Sequence, residues 1–258
     1  MDIFILVIVC LIAGIGAGLG TGFAGMSAAV VITPMLITFL DIPTYEAVGI
    51  ALASDVLASA VSAIAYGKKK NLDIKNGILM MIAVLVFTVI GSLISSLLPD
   101  GTLGGLSYLL TLFLGIKFIV KPVMTTKENL ENTSKKKQVI QSLIGGAIVG
   151  FICGFVGAGG GMMMLILLTM ILGYELKTAV GTSVFIMTFT ALTGSVSHFI
   201  ISGLPNLLVL ALCVVFTLIS ALIAAKIANN KDSKILNRIV GILLTVIAVS
   251  LLAVTYLF

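Results

Sequence analysis

The fold is decided by the stretch Gly154-Phe155-Val156-Gly157-Ala158-Gly159-Gly160-Gly161, which lies inside a long apolar run. A related stretch, Gly22-Phe23-Ala24-Gly25-Met26-Ser27-Ala28, occurs earlier in the chain. Glycine is unfavourable in a helix interior and tolerates a positive φ, so each stretch predicts a break in a helix. At membrane depth such a break is tolerated only where it is buried in protein or lines a cavity. Two breaks in matching positions of two halves indicate the binding site of a transporter.

The composition is that of a polytopic membrane protein. Hydrophobic residues make up 60% of the 258 residues and charged residues 10%, and the mean hydropathy is +1.28. These values exclude an ordinary soluble domain. The net charge of +5 does not indicate a nucleic-acid partner, because the basic residues lie in short loops beside apolar segments, where they orient helices. The predicted fold class is all-α, embedded in the lipid bilayer.

Ten apolar segments are predicted, five in each half of the chain. Those of the first half are 3–25, 27–40, 46–66, 74–98 and 103–123. Those of the second half are 139–156, 162–172, 178–202, 206–228 and 235–257. A helix needs about 20 residues to cross a bilayer, and the segments 27–40 and 162–172 are shorter. We interpret these two as the second arms of glycine-broken hairpins, and the sequence leaves open whether they cross or fold back.

The two halves repeat at a shift of 132 residues. This shift pairs Ala47-Val48-Gly49 with Ala179-Val180-Gly181. It also pairs four glycines with four glycines: Gly14 with Gly146, Gly18 with Gly150, Gly22 with Gly154, and Gly25 with Gly157. The predicted organisation is a first transmembrane repeat at 1–124, a cytoplasmic linker at 125–137 and a second transmembrane repeat at 138–258. Close packing of a neighbouring helix explains the four-residue glycine spacing equally well.

The basic residues predict the orientation. If the loop with Lys68, Lys69 and Lys70 is cytoplasmic, alternation of the segments places every Lys and Arg on that side, as the positive-inside rule requires. Both termini then lie outside, and the first hairpin begins and ends outside while the second begins and ends inside. The sequence therefore predicts two inverted-topology repeats in the plasma (inner) membrane, an architecture that transporters use.

The candidate binding residues lie in and beside the two breaks. Backbone amides at a turn and at a helix N-terminus can bind an anion without Lys or Arg, and serine and threonine hydroxyls can add donors. The predicted substrate-binding residues are Gly22, Gly25, Met26, Ser27, Gly157, Ala158, Gly159, Gly160, Gly161, Thr182 and Ser183. The alternatives remain open: a glycine hinge or tight packing, and hydroxyls that bond to their own helix.

Asp55, with Ser54 before it, is the candidate for proton coupling. It lies near the middle of the segment 46–66 with no other charge close in sequence. A carboxylate at the bilayer centre costs on the order of 2.5–3.5 kcal/mol, so a functional role as a proton or cation relay is one interpretation. The other is a polar residue that bonds to a neighbouring helix or faces a water-filled vestibule.

The sequence does not predict an enzyme. A Ser183–His198 dyad is disfavoured, because fifteen residues along a straight helix span about 22 Å and a dyad needs hydrogen-bond reach. The three cysteines, Cys10, Cys153 and Cys213, lack metal-ligand spacing and are interpreted as small buried residues. We predict no metal and no cofactor, and the sequence has no nucleotide-binding loop of the Gly-x-x-x-x-Gly-Lys-Ser/Thr type.

The chain resembles the sulfite exporter TauE/SafE family of membrane permeases over nearly its whole length. The first motif is Gly18-Leu19-Gly20-Thr21-Gly22-Phe23-Ala24-Gly25-Met26-Ser27 with Pro34-Met35-Leu36, where Met26-Ser27-Ala28 replaces glycines that the family often keeps. The second is Gly150-Phe151-Ile152-Cys153-Gly154-Phe155-Val156-Gly157-Ala158-Gly159-Gly160-Gly161 with Ala179-Val180-Gly181-Thr182-Ser183.

The resemblance implies a permease for sulfite or an organosulfur anion such as sulfoacetate. Together with the residues it predicts a secondary transporter that works by alternating access and is coupled to protons, the alternative being a passive anion channel of the same architecture. Its expected partners are the small anion, protons and the bilayer. The exact anion, the direction and stoichiometry of transport and a homo-oligomeric state are left open.

Overall fold

The computed structural model describes residues 3–95, 112–113, 115–117, 119–120, 135–156 and 160–257. These residues are almost entirely helical and contain no strand, which confirms the all-α prediction. The helices are α1 (Ile3–Ala24), α2 (Ala29–Leu40), α3 (Thr44–Lys68), α4 (Ile74–Ser95), α5 (Lys135–Val156), α6 (Gly160–Ile166), α7 (Leu176–Ser202), α8 (Leu207–Asn230) and α9 (Ser233–Leu257). A π-helical turn, Leu167–Ile171, continues α6. Most of the predicted segment 103–123 and of the linker lies outside the described residues.

Five helices in the described part are long and apolar enough to cross a membrane: α1, α3, α4, α7 and α8. The chain is therefore a multi-pass membrane protein. The predicted hairpin arms are short: α2 has 12 residues, and α6 has 7 residues with 5 more in the π turn. A 12-residue helix is about 18 Å long and the hydrocarbon core about 30 Å thick, so neither arm crosses alone.

The helix boundaries repeat at the shift that the sequence indicates. Moving α1 along the chain by 132 residues gives 135–156, which are the bounds of α5. The same shift brings the starts of α2, α3 and α4 within one residue of the starts of α6, α7 and α8. Helix α5 begins at Lys135, so the last three residues of the predicted linker are helical.

The first helix of each half packs against a helix of the other half. Helix α1 packs along α8, and its counterpart α5 packs along α4. Gly18 of α1 lies against the backbone of Thr217 and Ala221, and Gly150 of α5 lies against the backbone of Val84. A side chain at either glycine would collide with the neighbouring helix, so these glycines permit the close approach.

The corresponding helices α3 and α7 pack on each other and are the most buried of the spanning helices. Gly49 near the start of α3 lies against His198 near the end of α7. In the same way, Gly181 near the start of α7 lies against Tyr66 near the end of α3. The two helices therefore run antiparallel, which is the arrangement that inverted repeats require. Inverted topology relative to a membrane stays a prediction.

Polar contacts join helix ends at one end of the molecule. The backbone amide of Asn206, at the start of α8, donates to Glu46 Oε1 at 2.9 Å. The ring of Tyr45, at the start of α3, stacks on His198 with centroids 4.0 Å apart. We call this the Glu46 end.

At the opposite end the loop between α3 and α4 is held by the second half. Asp73 accepts a hydrogen bond from the Tyr174 hydroxyl at 2.8 Å, and its amide donates to Thr182 Oγ1 at 3.1 Å. Burial, with a contribution from the Asp73 carboxylate, raises the pKa of the Tyr174 phenol, so this hydroxyl remains a donor. Asn71 donates to Asn229 at 3.0 Å, which adds the end of α8 to what we call the Asp73 end.

Candidate functional site

The two glycine breaks meet in the interior of the protein. A Cβ atom on Gly161 would lie 2.9 Å from the Ser27 amide nitrogen, and the Gly25 carbonyl oxygen is closer still. The Ser183 hydroxyl faces both breaks, with its oxygen 3.2 Å from the Gly25 carbonyl and 3.3 Å from the Gly161 carbonyl. Met26, between Gly25 and Ser27, is fully buried. We call this cluster of five predicted residues, Gly25, Met26, Ser27, Gly161 and Ser183, the glycine-turn site.

The first break follows from the backbone conformation of one residue. Gly25 has a φ of +62°, a conformation that only glycine adopts at little cost. It turns the chain out of α1 and directs Met26 and Ser27 toward the second half. The Thr21 hydroxyl fixes the turn by donating to the Met26 carbonyl at 2.8 Å.

Asp55 of α3 faces the first break. The hydroxyls of Ser27 and Thr21 and the Ala28 amide surround its carboxyl group, and Ser59 donates to Oδ1 at 2.9 Å. The side chain is fully buried, yet Oδ2 accepts no hydrogen bond from any described residue. An unpaired buried polar atom is costly. The role of Asp55 in proton coupling stays a prediction.

No buried cation compensates Asp55 within the described part of the chain, since no Lys or Arg is buried there. Among the described residues, the groups at the glycine-turn site that could donate to an anion are hydroxyls and backbone amides, and their role in binding stays a prediction.

Two predicted residues have partners away from this cluster. The Ser54 hydroxyl donates to the Ile50 carbonyl of its own helix at 2.9 Å. The Thr182 hydroxyl accepts from the Asp73 amide at the Asp73 end. Their roles in coupling and binding stay predictions.

Gly22 and Gly160 serve close packing. Gly22 lies against Ala224 of α8, and its carbonyl accepts a hydrogen bond from the Tyr66 hydroxyl at 2.9 Å. The Cys153 sulfur lies next to Gly160 and leaves no room there for a side chain. The remaining predicted residues of the second break, Gly157, Ala158 and Gly159, lie outside the described residues, and their roles stay predictions.

Three residues near Asp55 were not predicted. Ser59 lies one helical turn after Asp55, so the four-residue spacing was a usable signal. Thr21 is a hydroxyl residue between two glycines, which was a weaker signal. Cys153 is buried, as expected. Its proximity to Asp55 comes from the packing of α3 against the second half, and its contact with Gly160 comes from the packing of α5 against α6.

His198 and Ser183, which were considered as a catalytic dyad, lie in different parts of the protein. His198 Nδ1 lies 3.1 Å from the Tyr45 carbonyl oxygen at the Glu46 end, whereas Ser183 belongs to the glycine-turn site. Among the residues that the structure describes, no group of three or more His, Cys, Asp or Glu side chains could hold a metal ion.

The chain is similar to known proteins over nearly its whole length. The family model described as "Sulfite exporter TauE/SafE" matches residues 10–251, which include both glycine breaks. The probable membrane transporter protein YunE of Bacillus subtilis (strain 168) is 29% identical over 98% of this chain and 98% of its own length.

Two further relatives have similar names. The probable membrane transporter protein YdhB of the same organism is 23% identical over 82% of this chain and 86% of its own length. The probable membrane transporter protein MJ0441 of Methanocaldococcus jannaschii is 29% identical over 75% of this chain and 71% of its own length. No solved structure matches the chain.

Proposed function

This chain belongs to the sulfite exporter TauE/SafE family and is a membrane transporter; we propose that it carries a small sulfur anion, sulfite, another sulfur oxyanion or an organosulfonate, across the plasma membrane by alternating access. The observation that carries the proposal is the meeting of the two glycine breaks, with Ser183 between them. A site between two halves of a transporter can open to either side when the halves move.

The glycine-turn site has the donors that an oxyanion needs. The Ser27 and Ala28 amides lie at the start of α2, where a helix of 12 residues carries partial positive charge. The Ser27 hydroxyl adds a donor. The Ser183 hydroxyl, which donates to the Gly25 or Gly161 carbonyl oxygen in this structure, adds another when it turns to the anion. Gly161 supports this arrangement by letting the second half approach the first break without an intervening side chain.

The position of Asp55 supports proton coupling. Its carboxyl group adjoins Ser27 and Ala28, the same groups that would bind the anion. Two negative charges 4 Å apart repel by about 4 kcal/mol at an effective dielectric constant near 20. Anion binding and ionisation of Asp55 therefore oppose each other, and an anion that enters the site brings a proton with it.

Burial of the site favours a carrier over a passive channel. Ser27 is 1% exposed, and Asp55 and Ser183 are 0% exposed, so these three residues are closed off from solvent. A closed site of this kind corresponds to the occluded state of a carrier, whereas a conducting pore needs a continuous path.

The test is flux into proteoliposomes with sulfite, thiosulfate, sulfate, sulfoacetate and chloride, each with and without a pH gradient. We expect saturable uptake and counterflow of at least one sulfur anion, stimulated by an inward proton gradient. Unitary currents without saturation would favour the channel. Flux of none of the sulfur anions would contradict the proposed substrate class.

A further inference from the structure

A cavity separate from the glycine-turn site opens between the C-terminal ends of α3 and α8. Its volume is about 330 Å³. Three lysines, Lys68, Lys69 and Lys226, line it together with apolar residues that include Val61, Ile64 and Leu222. We call this cavity the basic groove.

The charge of the basic groove is of one sign. The side chains of Lys68, Lys69 and Lys226 are exposed, and no Asp or Glu is among the described residues that line the groove. Asn229 and Asn230 contribute further polar groups. Lysine ammonium groups and amides attract and hydrogen-bond a phosphate.

The polarity of the groove changes along its length. Lys68 is the last residue of α3, and Ile64 and Val61 lie one and two turns earlier in the same helix. Lys226 lies near the end of α8, with Leu222 one turn earlier. The lysines are thus at the ends of two membrane spans, and the apolar wall extends from them toward the middle of these spans. Ile64 is 59% exposed, so this wall is open to the bilayer.

We propose that the basic groove binds an anionic phospholipid, with the headgroup phosphate on the three lysines and an acyl chain along the apolar wall. Basic pockets between spanning helices on the cytoplasmic side bind anionic headgroups in this way. A free inorganic anion would contact the lysines but not the apolar wall. The apolar wall therefore favours a lipid over a free anion.

The experiment compares phosphatidylglycerol with phosphatidylcholine on the purified full-length protein. Spin-labelled versions of both lipids are added to the protein in detergent micelles, and the protein-bound fraction of each is measured. We expect the wild type to prefer phosphatidylglycerol. The variant Lys68→Gln/Lys69→Gln/Lys226→Gln should lose at least tenfold in this preference, because each basic residue near an anionic lipid contributes about fivefold.

The matched control removes the same charge elsewhere. Lys75, Lys231 and Lys234 are exposed and do not line the groove, so Lys75→Gln/Lys231→Gln/Lys234→Gln should change the preference less than twofold. The proposal would be overturned if both variants lost the preference for phosphatidylglycerol equally, or if the wild type showed no such preference.

A competition arm separates a lipid from a free anion. Excess sulfite or glycerol phosphate, at constant ionic strength, should leave bound phosphatidylglycerol in place, because neither compound has an acyl chain. Displacement by either would overturn the lipid assignment and place the groove on the path of a soluble anion. The lipid measurement does not depend on which anion the protein transports, so its failure is distinguishable from failure of the proposed function.

Discussion

Asp55 combines two environments in one side chain. Oδ1 is paired with Ser59, whereas Oδ2 is buried and unpaired within the described residues. It is also the only carboxyl group buried there. The first feature holds the group in place, and the second is what the proposed coupling role requires, namely an oxygen that can take a proton.

The first prediction concerns Asp55→Asn, which keeps the size of the side chain and an oxygen that accepts from Ser59 but cannot ionise. We expect anion flux without a pH gradient to persist and stimulation by the gradient to disappear. Initial uptake rates in proteoliposomes, with and without the gradient, measure this. Asp41→Asn is the control, because Asp41 is exposed and asparagine tolerates its φ of +51°. Unchanged stimulation in Asp55→Asn would remove this residue from coupling.

The second prediction concerns Ser183→Ala, which removes the hydroxyl between the two breaks. Loss of one hydrogen bond of about 1–1.5 kcal/mol predicts a five- to tenfold rise in KM for the transported anion. Ser195→Ala is the control on the same helix, since the Ser195 hydroxyl is buried and donates to the Leu192 carbonyl of its own helix. Equal KM values for both variants would show that Ser183 does not contact the anion.

At the scale of helices, α1 shows how glycine spacing determines a contact. Gly18 meets the Ser220 hydroxyl, the Thr217 carbonyl and the Ala221 amide of α8. Two of these three are backbone atoms, which cannot move without moving the helix. Gly16, on another face of α1, meets only the tip of Val31 at 3.2 Å.

The third prediction follows from this difference. Gly18→Ala should lower the free energy of unfolding by about 1–3 kcal/mol through overpacking, whereas Gly16→Ala should be close to neutral or stabilising, because alanine favours helix. A thiol-reactive fluorescent dye can report unfolding, since Cys10, Cys153 and Cys213 are free and buried. Equal melting temperatures for the two variants would contradict the close α1–α8 contact.

Helices and breaks could be predicted from the sequence because their causes are local. An apolar run without charge predicts a span, and Gly25 and the second glycine cluster predict where the chain leaves a helix. Contacts that join distant residues could not be predicted. The Tyr66 hydroxyl reaches Gly22, 44 residues away, and Asp73 reaches Thr182, 109 residues away. The hydrophobic pattern carries no information on which helix faces which, so the position of Cys153 near Asp55 could not be predicted either.

At the scale of the molecule, the antiparallel pair α3 and α7 gives the protein two chemically different ends. Among the described residues, the Glu46 end has Asn206 and His198, whereas Lys68, Lys69 and Lys70 lie at the Asp73 end, where α3 finishes. The positive-inside rule then predicts that the Asp73 end is cytoplasmic.

The fourth prediction tests this assignment by cysteine labelling in a variant without the three native cysteines. Single cysteines at Asp41 and Leu204 should react only from outside, and those at Lys70 and Lys231 only from inside. Labels at positions 100 and 133, which lie outside the described residues, should react from outside and inside respectively. Reaction of Asp41→Cys and Lys70→Cys from the same side would contradict the topology.

The exchange of partners between the two halves also bears on how the protein is made. The Gly14 carbonyl accepts a hydrogen bond from Ser220, 206 residues later in the chain, at 3.1 Å. At a synthesis rate of about 5–20 residues per second, α1 waits roughly 10–40 s in the bilayer before α8 emerges. During that interval the glycine face of α1 is open to lipid or to a chaperone. Helix α4 likewise lacks its partner until α5 has been made. The first half therefore cannot complete its packing before the second half has been made, because the partners of α1 and α4 are α8 and α5.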